Sequence, residues 1–305
     1  MLKFVLKDID GNVTRLKRPV KVSIVSSEDA PADSLVAVFA VNGTIPVLDE
    51  IEVYHEGEMA FEGKVDCQIT DVRTSGKVLT VKARSRECIL LDNEALPQTY
   101  CMPSMGLLMK RHFVPLGFTK YMGSDQAFNG ELDVTKGMSE WAVLKTFCVN
   151  FLHTVPRLRN NRVIDVSGDE SEELVCVSSR QCLSVRKTLN RSSVISDIYA
   201  RTYRNGGYEM PLVNPSAHRL GIHRKRYVNS VDSKSRTVLS AKELLQKSNR
   251  QYEQWELEYS GCILCERGAK LILDGKDQHL RVRELHYYFD QNGEKTKIFA
   301  EVREK

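Results

Sequence analysis

Hydrophobic and polar residues alternate with a period of two through most of residues 1–97, and short turn signals punctuate the alternation. Leu2, Phe4 and Leu6 alternate with polar neighbours, Asp10-Gly11-Asn12 supplies a turn, and Val20, Val22 and Ile24 continue the period. A polar loop, Ser26 to Asp33, leads to the apolar run Leu35–Val41, and Asn42-Gly43 turns the chain before Ile51–Tyr54. The pattern then turns at Glu56-Gly57-Glu58, resumes at Met59–Val65, turns again at Ser75-Gly76 and returns over Val78–Arg84, which is a β-meander. Leu90 to Pro97 closes the block, and Pro97 discourages further pairing. Six or seven strands in 97 residues predict a small sandwich or barrel.

After Pro97 the period changes. Pro103 suits the first turn of a helix that Leu107, Leu108, Arg111 and His112 continue, until Pro115-Leu116-Gly117 stops it. The clearest helix follows Ser139, a capping residue, with Trp141, Leu144, Phe147, Cys148, Phe151 and Leu152 on one face. Pro156 ends it, and residues 162–166 return as a strand, giving a small α+β insertion over 98–171. An acidic loop, Gly168 to Glu173, marks a boundary before strands at Leu174–Ser178 and Cys182–Lys187, with Val194–Tyr203 as a further candidate. Residues 205–235 read as a basic loop, and Ser240 with Glu243 reads as a capping box for a third helix with Leu244 and Leu245 on its apolar side. Strands at Gln254–Tyr259, Leu271–Leu273 and Leu280–Phe289, and the Asn292-Gly293 turn into Lys297–Val302, form a second β-unit.

Length and charge narrow the class. A chain of 305 residues is long for one core, so two or three domains are expected. A net charge of +4, from 44 basic and 40 acidic residues, is too balanced to argue for nucleic acid. Lys3, Lys7 and Asp8 interrupt any signal-peptide core, and Leu35–Val41 is too short to span a bilayer, so a soluble protein made in the cytosol is expected. Eight scattered cysteines then read as reduced thiols.

The candidate chemistry is sparse. Cys262-Ile263-Leu264-Cys265 has the C-x-x-C spacing, but no second ligand pair or helix N-terminus stands beside it. Asp8 to Asn12 lacks the sixth-position glycine and twelfth-position glutamate of a calcium loop. Asn205-Gly206-Gly207-Tyr208 lacks the lysine of a phosphate loop. His218 and His223 are spaced wrongly for one helix face. No metal, cofactor or catalytic residue is assigned, and an enzyme is not expected. The aromatic residues Trp255, Tyr259, Tyr287, Tyr288 and Phe289 read as sheet packing, because Glu256, Glu258 and Glu284 oppose stacking on nucleic acid.

Phe61-x-Gly63-x-Val65-Asp66, the run Gly76–Ser85 (GKVLTVKARS) and Leu90–Pro97 (LLDNEALP) together resemble the hub proteins of contractile phage tails and tail-like particles over about 35 positions. The PBSX-type prophage hubs and the late-control-D and Mu-type hubs are the relatives it suggests. The resemblance implies a mainly β chain with an α+β insertion, in which two tail-tube-like β-barrels flank a smaller inserted domain. It places the first barrel at 1–97, the insertion at 98–171 joined by 205–250, and the second barrel at 172–204 and 251–305. No residue-level repeat between the halves is visible in the sequence.

The resemblance further implies a non-enzymatic homotrimer in the tail baseplate of a virion or related particle, joining the sixfold tube to the threefold spike. Its partners would be the tail tube, the spike and other baseplate proteins, with neither specific nucleic-acid binding nor membrane insertion. Arg219, Arg224, Lys225 and Arg226 form a candidate docking patch for an acidic partner surface. The alternatives are an OB-like barrel binding single-stranded nucleic acid and an anchor module of a wall-degrading enzyme.

Overall fold

The structure is a computed structural model that describes residues 2–28, 30–74, 76–159, 162–169, 171–201, 207–208, 210–229 and 234–303. Strands hold half of it, and the fold is mainly β as expected. The first unit contains β1 (Leu2–Asp8), β2 (Val13–Lys17), β3 (Lys21–Ser27), β4 (Ser34–Val41), β5 (Leu48–His55), β6 (Glu58–Arg73) and β7 (Gly76–Ser85). They pair antiparallel in the order β3-β4-β7-β6-β5-β1-β2. The alternation read from the sequence is the cause: Leu2, Phe4 and Leu6, then Leu35, Ala37, Phe39 and Val41, then Leu79, Val81 and Ala83 enter one core. At the first turn the Asp8 carboxylate accepts hydrogen bonds from the backbone N–H of Asp10 and Asn12, at 3.0 and 2.8 Å, so the turn itself uses that acid.

The insertion is built from short pieces. Helix α1 (Ile89–Asp92) leads into β8 (Gln98–Cys101), and α2 (Met105–Leu108) starts at Ser104, whose hydroxyl accepts from Leu107 N–H. Pro103 therefore precedes the cap rather than lying in the first turn. The helical path runs on through wider and tighter turns to Leu116, and Gly117 ends it with φ of 87°. Strand β9 (Lys120–Met122) follows, then β10 (Glu131–Val134), which pairs with β8. Helix α3 (Glu140–Phe147) is capped by Ser139 as expected, and Leu144, Phe147 and Cys148 are fully buried. Strand β11 (Arg157–Arg159) pairs with β12 (Val163–Asp165), which runs parallel to β9.

The second unit comprises β13 (Leu174–Val177) and β14 (Cys182–Leu189), and the chain then leaves the large sheet. Residues 194–203, expected to continue this unit, instead supply β15 (Asp197–Ala200), the centre of a separate three-stranded sheet. It pairs antiparallel with β16 (Met210–Val213) and parallel with β17 (Lys225–Val228). Helix α4 (Pro215–Arg219) lies between these two strands, within the stretch read as loop. The third long helix, α5 (Lys234–Arg250), begins well before Ser240, because no Gly or Pro interrupts the chain ahead of it. The side chains of Ser240 and Glu243 lie outside the described residues. Leu245 packs with Ile195, Ile198 and Ala241, whereas Leu244 is exposed, which corrects the paired apolar side. These buried clusters are distinct from that of the 98–171 insertion, to which 205–250 was expected to join.

The chain returns to the large sheet with β18 (Glu253–Ser260), β19 (Lys270–Leu273), β20 (Lys276–Asp290) and β21 (Gly293–Val302). Strand β13 lies parallel to β19, and the order then runs β19-β20-β21-β18-β14. The far half of β20, from Glu284 to Phe289, pairs with β3, fusing the two units into one 13-stranded sheet.

The two halves share a register that the sequence conceals. Arg73 opposite Gly76 and Cys67 opposite Lys82, in β6–β7, match Asp290 opposite Gly293 and Glu284 opposite Phe299, in β20–β21. A bulge falls at the same step in each long strand, between Val65 and Cys67 and between Val282 and Glu284. Ser34 opposite Arg84 matches Gln254 opposite Glu301, and Val22 opposite Ala37 matches Val185 opposite Leu257. Both long strands are entered through two-residue turns with positive φ, Glu56-Gly57 at 51° and 98° and Asp274-Gly275 at 51° and 72°. Thus β3, β4, β7 and β6 correspond to β14, β18, β21 and β20.

Gly63 has a steric reason to be glycine. A Cβ there would stand 2.2 Å from the backbone oxygen of Arg84 in the neighbouring strand. Gly63→Ala is expected to destabilise the chain by about 2–3 kcal/mol, because backbone must move to admit the methyl. Urea unfolding of both proteins checks this.

Candidate functional site

The three sequence runs that carry the resemblance meet at one corner of the first unit. Arg84 donates from Nε and Nη2 to both oxygens of Asp66, at 2.7 and 2.9 Å, and from Nη1 and Nη2 to Asp92, at 2.9 Å each. The arginine holds the Asp92 carboxyl below its usual range. The next residues fasten the insertion. Ala95 N–H donates to Met138 O, Asn93 O accepts from Glu140 N–H, and the Glu94 carboxylate accepts from Gly137 N–H. The pattern is therefore a joint between the β-unit and helix α3.

A second joint ties the two β-units. Arg267 donates from Nη1 to the carbonyls of Ser27 and Ala30, at 3.2 and 2.7 Å, and stands 3.5 Å from Asp33. Arg281 bridges Glu28 of the first unit and Glu301 of the second, donating to Glu28 at 3.1 Å. Burial pushes the Glu28 carboxyl up, and Arg281 and Arg157 draw it back. Between these joints and the insertion lies a cleft of about 770 Å³ lined by Asp33, Glu62, Arg86, Arg159, Arg162 and Arg267 among others.

The candidate basic patch does not form one loop. Arg219 ends α4 and donates to Ser216 Oγ, while Arg224 is half-buried and donates to the carbonyls of Arg191 and Val194, at 3.1 and 2.8 Å. Lys225 and Arg226 are exposed and adjacent in β17, hence on opposite faces of its sheet. Lys225 lies 5.7 Å above the Tyr199 ring, and Tyr199 stacks on Tyr227, which meets Tyr208 edge-on. The positive φ of Gly221 turns the chain back, so His218 and His223, wrongly spaced for a helix, stand with ring centroids 5.7 Å apart. His218 Nε2 is 3.0 Å from Asp197.

Cys262 and Cys265 are free thiols that burial pushes up to about 12, so both are protonated at neutral pH. No group of three or more His, Cys, Asp or Glu that could hold a metal is present among the described residues. Asn205 and Gly206 of the Asn205–Tyr208 run, and Glu170 of the acidic loop, lie outside the described residues. Sequence reading missed a buried chain in the insertion: Tyr100 Oη lies 2.7 Å from His112 Nε2, and His112 Nδ1 lies 2.7 Å from Glu140. Their separation of 12 and 28 residues left no local signal.

Asp165 is another buried acid of the insertion. It accepts from Arg159 Nε at 2.7 Å and from the N–H and hydroxyl of Ser167 at 2.9 and 2.7 Å. Burial alone would raise it, but the Ser167 and Arg159 bonds outweigh burial and hold its pKa below the ordinary value.

No protein-family model and no curated protein sequence matches this chain. Solved structures do. The 43 kDa tail protein of prophage MuSo2 from Shewanella oneidensis aligns with a TM-score of 0.80 at 14% identity, covering 99% of this chain and 98% of that one. A tail protein from Neisseria meningitidis MC58 aligns with a TM-score of 0.76 at 16% identity, covering 98% and 96%. The c3393 protein of E. coli, a type VI secretion component similar in structure to the T4 tail proteins gp27 and gp5, aligns with a TM-score of 0.60 at 7% identity, covering 94% and 74%. The chain therefore has the fold of phage tail proteins, as the resemblance implied.

Because the Asp165 carboxyl is depressed in the folded chain, its stabilisation is complete above the unfolded value near 4 and is lost as pH falls through the lower folded value. Asp165→Asn is expected to cost about 2–4 kcal/mol at neutral pH, with the gap to the unsubstituted protein narrowing below about pH 4. Denaturant unfolding across that pH range reads both effects.

Proposed function

We propose that this chain is a structural component of a phage tail or tail-like particle, and that it serves as a central hub between the tail tube and the spike. The observation that carries the reading is the shared register of its two β-units, joined edge to edge within one chain. A ring of six like subunits cannot meet a threefold partner through identical contacts with every subunit. A homotrimer whose chains each carry two similar units offers six similar positions toward the tube and true threefold symmetry toward the spike. The full-length likeness to two tail proteins, and the gp27 and gp5 likeness noted for c3393, support this reading. The work in this reading is mechanical.

Arg219, Lys225 and Arg226 are exposed, and β17 is an edge strand of its sheet among the described residues, so a partner gripping that edge from both sides reaches Lys225 and Arg226 together, and with Arg219 they form the docking patch of this proposal. Arg224 instead holds the strand to the carbonyls beneath it.

Co-expression with the tube and spike proteins of the same particle is expected to give a complex holding three copies of this chain, read by native mass spectrometry. A chain that associates with neither protein would overturn the hub reading. Reversing Arg219, Lys225 and Arg226 to Glu is expected to weaken binding to a baseplate partner at least tenfold at low salt, whereas Arg224→Ala is expected to lower stability. Unchanged affinity in the triple variant would sink the patch.

A further inference from the structure

The near balance of charge over the whole chain hides a segregation. Residues 190–250 hold 12 Lys and Arg against 4 Asp and Glu, whereas the other 244 residues hold 32 against 36. The basic surplus therefore belongs to the lobe formed by the three-stranded sheet with α4 and α5, which lies between β14 and β18 in the chain. In the first unit, Lys64, Arg84 and Arg86 sit on carboxylates. In the lobe, Arg219 meets a hydroxyl, Lys225 a tyrosine ring and Arg226 a backbone carbonyl, and none of the three has a carboxylate within ion-pair distance among the described residues.

Aromatic rings stand among these cations. Register places Lys225 and Tyr227 of β17 beside Asp197 and Tyr199 of β15, so the four project from one face of the sheet. The opposite face is covered, since Ile198, Leu212 and Val228 cluster with Ala241 and Leu245 of α5. On the first face Tyr227 is 63% exposed, and Tyr208, edge-on to it, is 39% exposed. Stacking of Tyr199 on Tyr227 and the 2.7 Å hydrogen bond from Tyr208 Oη to Asn229 hold the rings in place. Asp197 opposes an anion on this face, but His218 Nε2 at 3.0 Å and the Ser196 hydroxyl at 2.6 Å already engage it, and its side chain is only 13% exposed.

We propose that this lobe binds single-stranded nucleic acid without regard to sequence, with bases stacked on Tyr227 and Tyr208 and phosphates met by Arg219, Lys225 and Arg226. The activity goes beyond the hub reading and rests on none of it, although the docking patch shares the three cations. A surplus of cations without carboxylate partners selects a polyanion. The rings decide which one. A duplex buries its base faces and is read through its grooves, whereas tyrosines exposed on a flat sheet suit bases that are already unstacked. An acidic protein segment would satisfy the cations and leave the ring faces without a planar partner. Because β17 is an edge strand among the described residues, a backbone following that edge meets Lys225 on one face and Arg226 on the other.

The test is the fluorescence anisotropy of a labelled oligothymidylate titrated with the full chain across a series of salt concentrations, with polyglutamate of matched length as competitor. Binding is expected at about 50 mM salt, and log K is expected to fall by roughly 0.7 per log unit of salt for each phosphate met, a slope of about −2 for three cations. Lys225→Gln is expected to reduce that slope by about 0.7. Tyr227→Ala is expected to weaken binding at least tenfold with the slope unchanged, and Tyr227→Phe to keep it, because stacking uses the ring and not the hydroxyl. Urea unfolding checks that these variants of an exposed residue remain folded. No binding of oligothymidylate at that salt would overturn the proposal. Equal affinity of Tyr227→Ala and the unsubstituted chain would also overturn it, leaving a site of charge alone. Displacement by polyglutamate at equal charge concentration would overturn it too and return the lobe to the acidic partner of the docking patch. Each of these results leaves the hub reading standing, since that reading is tested by the three-copy complex.

Discussion

A β-sheet edge presents unpaired N–H and C=O groups, and the architecture here follows from how one such edge is divided. Strand β20 offers a single 15-residue edge to two partners in succession, β19 and then β3. The bulge after Val282 separates the two pairings and increases local twist, so the far half can leave one unit and enter the other. Six registered pairs join β20 to β3, and Tyr287 of the second unit is buried in the core of the first. At roughly 1 kcal/mol net per hydrogen bond, backbone pairing alone would hold this junction weakly. The shared apolar core and the Arg267 and Arg281 contacts at its end fix the orientation of one unit on the other.

Those arginine contacts trade tolerance for definition. Arg281 is nearly buried between Glu28 and Glu301, and Arg267 reaches the carbonyls of the β3–β4 loop. Buried ion pairs add little net stability against apolar packing of similar shape, yet losing one partner strands a charge away from water. The geometry at the joint is thus sharply defined, because few other positions satisfy these groups together.

The elements legible in the sequence were those in which local chemistry and tertiary packing agree. The alternation of Leu2, Phe4 and Leu6, the stripe from Leu144 to Phe147 and the Ser139 cap each carry their own reason for the structure they adopt. Residues 194–228 were less legible, because β15, β16 and β17 are four-residue strands whose pairing depends on distant partners. Ser240 and Glu243 have the right spacing for a cap, but a pattern of four residues cannot say that the helix has already begun. The basic patch failed as a single loop for the same reason: Arg224 turns inward to satisfy carbonyls that only the fold brings near it. The duplication was illegible because register, not residue identity, has been retained. Glu284 stands where Cys67 does and Tyr287 where Thr70 does, while the hydrogen-bond ladder around them is the same.

That divergence has a physical direction. Where the seam lies within the chain, the facing residues are apolar and mostly buried: Ile24 stands opposite Tyr287, and Val22 opposite the half-buried Phe289. At the corresponding outer edges the residues are smaller or charged, with Thr70, Asp71 and Val72 on one and Val185, Arg186 and Lys187 on the other. An internal seam forms at the high effective concentration of a tethered chain and can be wholly apolar without risk. An outer edge is not covered by another strand of the chain among the described residues, and a long apolar strand there would invite indiscriminate pairing, against which interspersed charge is the usual protection. The two units have thus drifted apart where one pair of edges is joined within the chain and the other is not.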